Sequence, residues 1–173
     1  MGSAILRRVR RFALLLVFVA LIGCGSDDEP APSPDPSPTP ATFLDGGRDA
    51  FEKRIASERG TPVVVNKWAS WCGPCRFEFP FFQSQQKKRD GEIVFLGVNS
   101  NDNQGDAEDF LADHPVDFPH FEDPDLEIAA SFNAVQAFPA TAFYDSKGEL
   151  AYVHQGGYSD EGKLAADIDR YAR

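Results

Sequence analysis

Two of the three cysteines in this 173-residue chain, Cys72 and Cys75, are separated only by Gly73 and Pro74. A pair so close together closes a ring too small to staple a fold by restricting the unfolded chain. Its use is therefore in reactivity: two sulfurs that share two electrons, one attacking a disulfide and the other releasing whatever the first has caught. The attacking species is the thiolate, which forms near neutral pH only where N–H groups or positive potential stabilise it. A helix N-terminus supplies both. Half of a zinc site is the competing reading of a CxxC pair. Four-coordinate zinc needs further ligands, however, and His114, His120 and His154 stand singly, without a paired spacing.

The elements around the pair put it where that chemistry requires. Pro62–Trp68, with three consecutive valines, reads as a buried strand, and a helix is expected from about Cys72 to Arg89 with Pro80 as a kink inside it. Cys72 then opens the helix, Cys75 follows one turn later, and Pro74 falls in the first turn, where its missing N–H costs nothing. A helix over Arg48–Glu58 precedes this unit. A strand at Glu92–Val98, helices at Asp106–Ala112 and Pro124–Phe132, a hairpin of Thr141–Tyr144 with Leu150–His154, and a closing helix from Asp160 to Tyr171 follow it. This alternation predicts an α/β sandwich with a mixed central sheet.

The first forty residues have another character. Arg7, Arg8, Arg10 and Arg11 precede the apolar run Phe12–Ile22, which is short for a bilayer span and ends in Leu21-Ile22-Gly23-Cys24. That ending resembles the lipobox of bacterial lipoproteins, which implies removal of residues 1–23 as a signal peptide and lipidation of Cys24. The alternative is an uncleaved membrane anchor. Residues 24–40 are rich in proline and serine, which favours an extended tether of roughly 40–50 Å at about 3.1 Å per residue. The expected organisation is thus signal peptide 1–23, lipid-anchored linker 24–40 and globular domain 41–173. Lys and Arg total 17 against 27 Asp and Glu, a net charge of −10, and without residues 1–23 the balance is 13 against 27. So acidic a domain repels nucleic acid, which is not expected as a partner.

The segment Val63-Val64-Val65-Asn66-Lys67-Trp68-Ala69-Ser70-Trp71-Cys72-Gly73-Pro74-Cys75-Arg76-Phe77-Glu78-Phe79-Pro80 closely resembles the active-site segment of the thioredoxin superfamily, most of all its TlpA/ResA-type extracytoplasmic thiol:disulfide oxidoreductases. The resemblance continues through Glu92–Asn99 to Phe138-Pro139-Ala140-Thr141-Ala142-Phe143. It implies a thioredoxin-like three-layer α/β sandwich in which Cys72 is the nucleophile and Cys75 the resolving thiol. Glu78, about one turn beyond Cys75, would be a carboxylate that moves protons. Pro139 would be a cis-proline facing the dithiol, with Phe138 before it, and Trp71, Gly73 and Pro74 would complete the surface that meets substrate. Trp68 and Trp71 would wall the site.

By the same resemblance the redox centre is the Cys72–Cys75 pair itself, with no metal and no dissociable cofactor. The expected partners are thiols and disulfides of exported proteins, apocytochromes among them, and a membrane electron donor. The protein would be a monomer held outside the cytoplasm on the bacterial cell membrane through Cys24. Copper-handling modules and thiol peroxidases use the same scaffold and are the alternatives. Two residues depart from the pattern: Ala140 where threonine is usual after the cis-proline, and Lys67 where the strand normally has an apolar side chain.

Overall fold

The computed structural model describes residues 42–173; the expected signal peptide, Cys24 and the linker lie outside the described residues. Six strands form one sheet in the order β1 (Phe43–Leu44), β4 (His120–Asp123), β3 (Val94–Ser100), β2 (Val63–Trp68), β5 (Ala140–Tyr144) and β6 (Leu150–Gln155). The first four are mutually parallel, while β5 runs antiparallel to both β2 and β6. Helices α2 (Gly73–Lys88), α3 (Gln104–Asp113) and α5 (Glu161–Tyr171) cover one face, and α1 (Gly47–Ser57) and α4 (Glu127–Ser131) cover the other. This is the three-layer sandwich with a mixed sheet that the resemblance implies. Among the described residues no helix is long and apolar enough to cross a membrane.

The central strand shows why its sequence reads as it does. All six residues of β2 are buried, because both faces of the sheet are covered, so the strand is a continuous apolar run rather than an alternation. Successive side chains still point to opposite faces. Val64 and Trp68 join the core under α2, α3 and α5, and Val63 and Val65 join the core under α1 and α4. Asn66 and Lys67 are the two polar residues in this run, one on each side.

Two strands, β1 and β4, were not expected from the sequence. β4 is polar at both ends, yet His120 and Asp123 are buried. Asp123 accepts hydrogen bonds from the N–H groups of Ile128 (2.8 Å) and Ala129 (3.0 Å) and from the Ser100 hydroxyl (2.8 Å). Leu126, at φ 62°, turns the chain into α4. The helix expected over Pro124–Phe132 is accordingly shorter, Glu127–Ser131, because Asp123 supplies the partners for its first N–H groups from the preceding strand. The helix α2 runs without interruption from Gly73 to Lys88, with Pro80 inside it as expected.

His120 is a core histidine. Trp68 Nε1 donates to its Nδ1 at 3.1 Å, so that nitrogen is bare and the ring is neutral, and burial pushes the imidazole pKa down to about 3. Gly97 lies opposite His120 on β3, and a Cβ there would stand 1.8 Å from His120 Nδ1. The strand must therefore carry glycine where the imidazole crosses it. Gly97→Ala is expected to lower the unfolding free energy by about 3 kcal/mol through overpacking, measured as a fall in the urea midpoint with an unchanged slope.

Candidate active site

The site grows from the C-terminal end of β2. Beyond Trp68 the chain turns through Ala69, Ser70 and Trp71 and enters α2 with Cys72 as its N-cap, in extended conformation. This turn is fixed from the neighbouring strand. Asp102, just past β3, accepts from the Ser70 backbone N–H (2.5 Å), the Ser70 hydroxyl (2.8 Å) and the Asn99 amide (2.8 Å). Trp71 Nε1 donates to the Asn101 carbonyl at 2.9 Å. Asp102 was missed from the sequence; the polar stretch Asn99–Asn103 following a strand was the available signal.

Cys72 and Cys75 are joined in a disulfide, with Cα atoms 5.3 Å apart. Cys72 Sγ also accepts a hydrogen bond from the Cys75 N–H at 3.2 Å, in the capping geometry usually provided by a serine or aspartate oxygen. Both cysteines are buried, Cys75 at 0% and Cys72 at 3% exposure. Around them the surface is aromatic, with Trp71 56% exposed and Phe77 60% exposed. Phe138 packs on Trp71 with ring centroids 4.7 Å apart, and the Phe138–Pro139 peptide bond is cis. Trp68 is not a wall of the site. It is fully buried in the core, stacked on Phe110, because its position on β2 points under α2 and α3.

Glu78 is fully buried on the same helix as Cys75, three residues further on. Its Oε1 accepts from Asn66 Nδ2 (2.8 Å) and its Oε2 from the Tyr158 N–H (3.0 Å). Burial raises the carboxyl pKa to about 7, against the pull of those two donors. At neutral pH this group therefore stands close to the midpoint of its titration, unlike a solvated glutamate. The Oδ1 of Asn66 is buried and has no hydrogen-bond partner among the described residues.

The segment following β6 closes the back of the site. Gly156 N–H donates to the Pro139 carbonyl at 2.9 Å. A Cβ on Gly157 would lie 3.5 Å from both Pro139 Cγ and Pro74 Cβ and 3.7 Å from Glu78 Oε2. Thus Pro74 and Glu78 of α2, on the helix that carries the cysteines, meet Pro139 at the β5 entry and Gly157 beyond the β6 exit. Tyr158 and Gly157 were not found from the sequence, since nothing local marks a backbone N–H as a carboxylate ligand.

Comparison with known proteins agrees with this geometry. The redoxin family matches residues 37–168 of the chain. The thiol-disulfide oxidoreductase ResA of Geobacillus kaustophilus is 30% identical over 171 residues, 95% of this chain and 94% of that protein. The thiol:disulfide interchange protein DsbE of Pseudomonas fluorescens is 31% identical over 102 residues, 58% of this chain and 55% of that protein. Among solved structures, a thiol:disulfide interchange protein DsbE from Chlorobium tepidum superposes with a TM-score of 0.61 at 30% identity, covering 67% of this chain and 83% of that one. With a CxxC disulfide at the tip of α2 and these relatives, the chain belongs to the redoxin family and is a thiol-disulfide oxidoreductase of thioredoxin-like fold.

Proposed function

We propose that the protein reduces disulfides of exported proteins, apocytochromes c among them, with Cys72 as attacking sulfur, Cys75 as resolving sulfur and Glu78 as proton acceptor. The observation that carries this reading is the Cys72–Cys75 pair at the tip of α2, with Cys72 as N-cap and buried Glu78 three residues beyond Cys75 on the same helix. In the reduced protein the N–H groups of the first turn stabilise the Cys72 thiolate. That thiolate attacks one sulfur of the client disulfide; the client S–S bond breaks, its other sulfur leaves as a thiolate and takes up a proton, and a mixed disulfide remains. Cys75 then gives its proton to ionised Glu78 and attacks Cys72 Sγ. The mixed disulfide breaks, the second client thiol leaves, and the two electrons of the dithiol have passed to the client. Trp71, Gly73, Pro74, Phe138 and Pro139 form the surface along which the client chain lies.

The donor that returns the two electrons is, in this proposal, a membrane protein, and the chain is held near it by lipid on Cys24 after residues 1–23 are removed. The lipobox-like Leu21–Cys24 and the proline-rich residues that follow support that placement. Direction is tested by equilibrating the protein with dithiothreitol redox buffers. The Gly-Pro dipeptide between the cysteines predicts a potential near about −270 mV, whereas a value near about −120 mV would make the protein an oxidant. A Cys75→Ser variant should in parallel accumulate exported proteins in mixed disulfide with Cys72.

A further inference from the structure

Lys67 is the residue that departs most from an apolar strand, and the structure gives it a full set of partners. Its side chain is 0% exposed, on the α1/α4 side of β2. The ammonium donates to the carbonyls of Ala134 (2.8 Å), Val135 (3.2 Å) and Ala137 (2.9 Å), so each of its three N–H bonds has an acceptor. It also lies 3.4 Å from the centroid of the Phe138 ring. All four partners belong to the connection between α4 and β5, which delivers Phe138 and Pro139 to the dithiol. In the sheet, Lys67 is paired with Ala140, the residue immediately after Pro139. One buried cation thus ties the strand that precedes the cysteines to the loop that faces them.

We propose that Lys67 is a positioning residue for client binding: it holds the 134–138 loop and, through the face of Phe138, sets the Phe138–Trp71 wall against which a polypeptide client docks. This inference rests on the thiol-disulfide exchange reading above and extends it to the substrate groove. Phe138 touches both groups, the ammonium 3.4 Å from its centroid and the Trp71 ring 4.7 Å away, tilted by 50°. A ring held by a cation and packed on an exposed indole has little freedom, which lowers the ordering cost when a client chain arrives. Burial lowers the ammonium pKa to about 8, with Asp123 pulling upward, so the side chain is cationic at neutral pH and keeps all three donors. Methionine has a similar length and shape but no donor, and a core-filling role alone would be served by it. The carbonyls of residues 134, 135 and 137 would then lose their common partner, and the loop its register under Phe138.

The test compares Lys67→Met with the wild type on two disulfides. One is insulin, a folded polypeptide client that needs the groove; the other is 5,5′-dithiobis(2-nitrobenzoate), a small disulfide that needs only access to sulfur. The variant is expected to raise KM for insulin about tenfold with kcat changed less than about twofold, so the ratio of insulin to small-disulfide rates falls about tenfold. An unchanged ratio overturns the inference, as does an equal loss on both substrates. A Phe138→Leu variant should lower the same ratio, and the double variant should lower it by less than the product of the two single effects.

A second measurement leaves position 67 intact, so it decides the matter even if the variant fails to fold. In Cys75→Ser protein, Lys67 Nζ and Phe138 ring resonances are compared with Cys72 capped by a thiomethyl group or by a cysteine-containing peptide in mixed disulfide. Shifts with the peptide beyond those with the thiomethyl cap support the inference, and identical spectra overturn it. Failure of the wild type to reduce either disulfide would instead remove the exchange reading itself.

Discussion

Cys72→Ser is expected to lower the rate of disulfide exchange by at least about three orders of magnitude while leaving the fold in place. The two halves of this outcome have separate causes. Serine is among the best N-cap residues, and its oxygen can accept the Cys75 N–H that Cys72 Sγ now accepts, so α2 keeps its first turn. What disappears is the polarisable sulfur proposed as the attacking atom, on the less enclosed residue of the pair. Cys75 cannot substitute for it, because that sulfur is sealed from solvent. The comparison should be made with reduced wild-type protein, so that loss of the disulfide itself does not enter. Stopped-flow reduction of insulin and far-UV circular dichroism give the two readouts; activity within tenfold of the wild type would remove Cys72 from the role of attacking sulfur.

Glu78→Gln is expected to stabilise the oxidised protein at alkaline pH and to impair the resolving step. In the native state the carboxyl has a pKa of about 7, raised by burial, whereas in the unfolded chain it has the ordinary value near about 4.5. Below about pH 4.5 both states hold the proton and the group contributes nothing. Between about pH 4.5 and 7 the unfolded state releases its proton while the folded state retains it, so stability falls as pH rises. Above pH 7 the full cost is present, about 3 kcal/mol from the difference between the two values. Glutamine carries no charge and escapes that cost.

Its amide also fits the existing partners. The glutamine oxygen can accept the Tyr158 N–H, and its NH2 can donate to Asn66 Oδ1, which has no partner among the described residues, once the Asn66 amide rotates. Urea denaturation at pH 5 and pH 8 should show little change at the lower pH and a gain approaching about 3 kcal/mol at the higher. The same change removes the proposed proton acceptor of Cys75. The resolving step should slow by about a hundredfold, and the rise in its rate through pH 7 should vanish. If the thiol pKa values and the pH profile are both unchanged, Glu78 carries no proton in the reaction.

The parts of this site that were legible in the sequence are those with local signatures. The CxxC pair, the β-branched run before it and the helix after it lie within about twenty-five residues, and each has its own periodicity or capping pattern. Pro139 and Glu78 were reachable only through resemblance, because nothing in their own neighbourhoods distinguishes them from other prolines and helix glutamates. Asp102, Gly157 and Tyr158 act across separations that leave no trace in a local pattern; Tyr158 reaches Glu78 over eighty residues and does so through backbone. β1 and β4 escaped because a two-residue strand and a strand bounded by buried histidine and aspartate carry no alternation to read. Lys67 was conspicuous by type, but its acceptors lie sixty-seven to seventy residues away.

The near-complete enclosure of the inner sulfur has a further consequence for traffic through the protein. In the proposed reaction, whatever delivers electrons would approach the same residue, Cys72, that later confronts the client, since Cys75 is 0% exposed. On that proposal donor and client would compete for a single docking face and visit it in turn, and the oxidation state of the pair would select which visitor is productive. A complex holding both at once could pass no electrons through this centre.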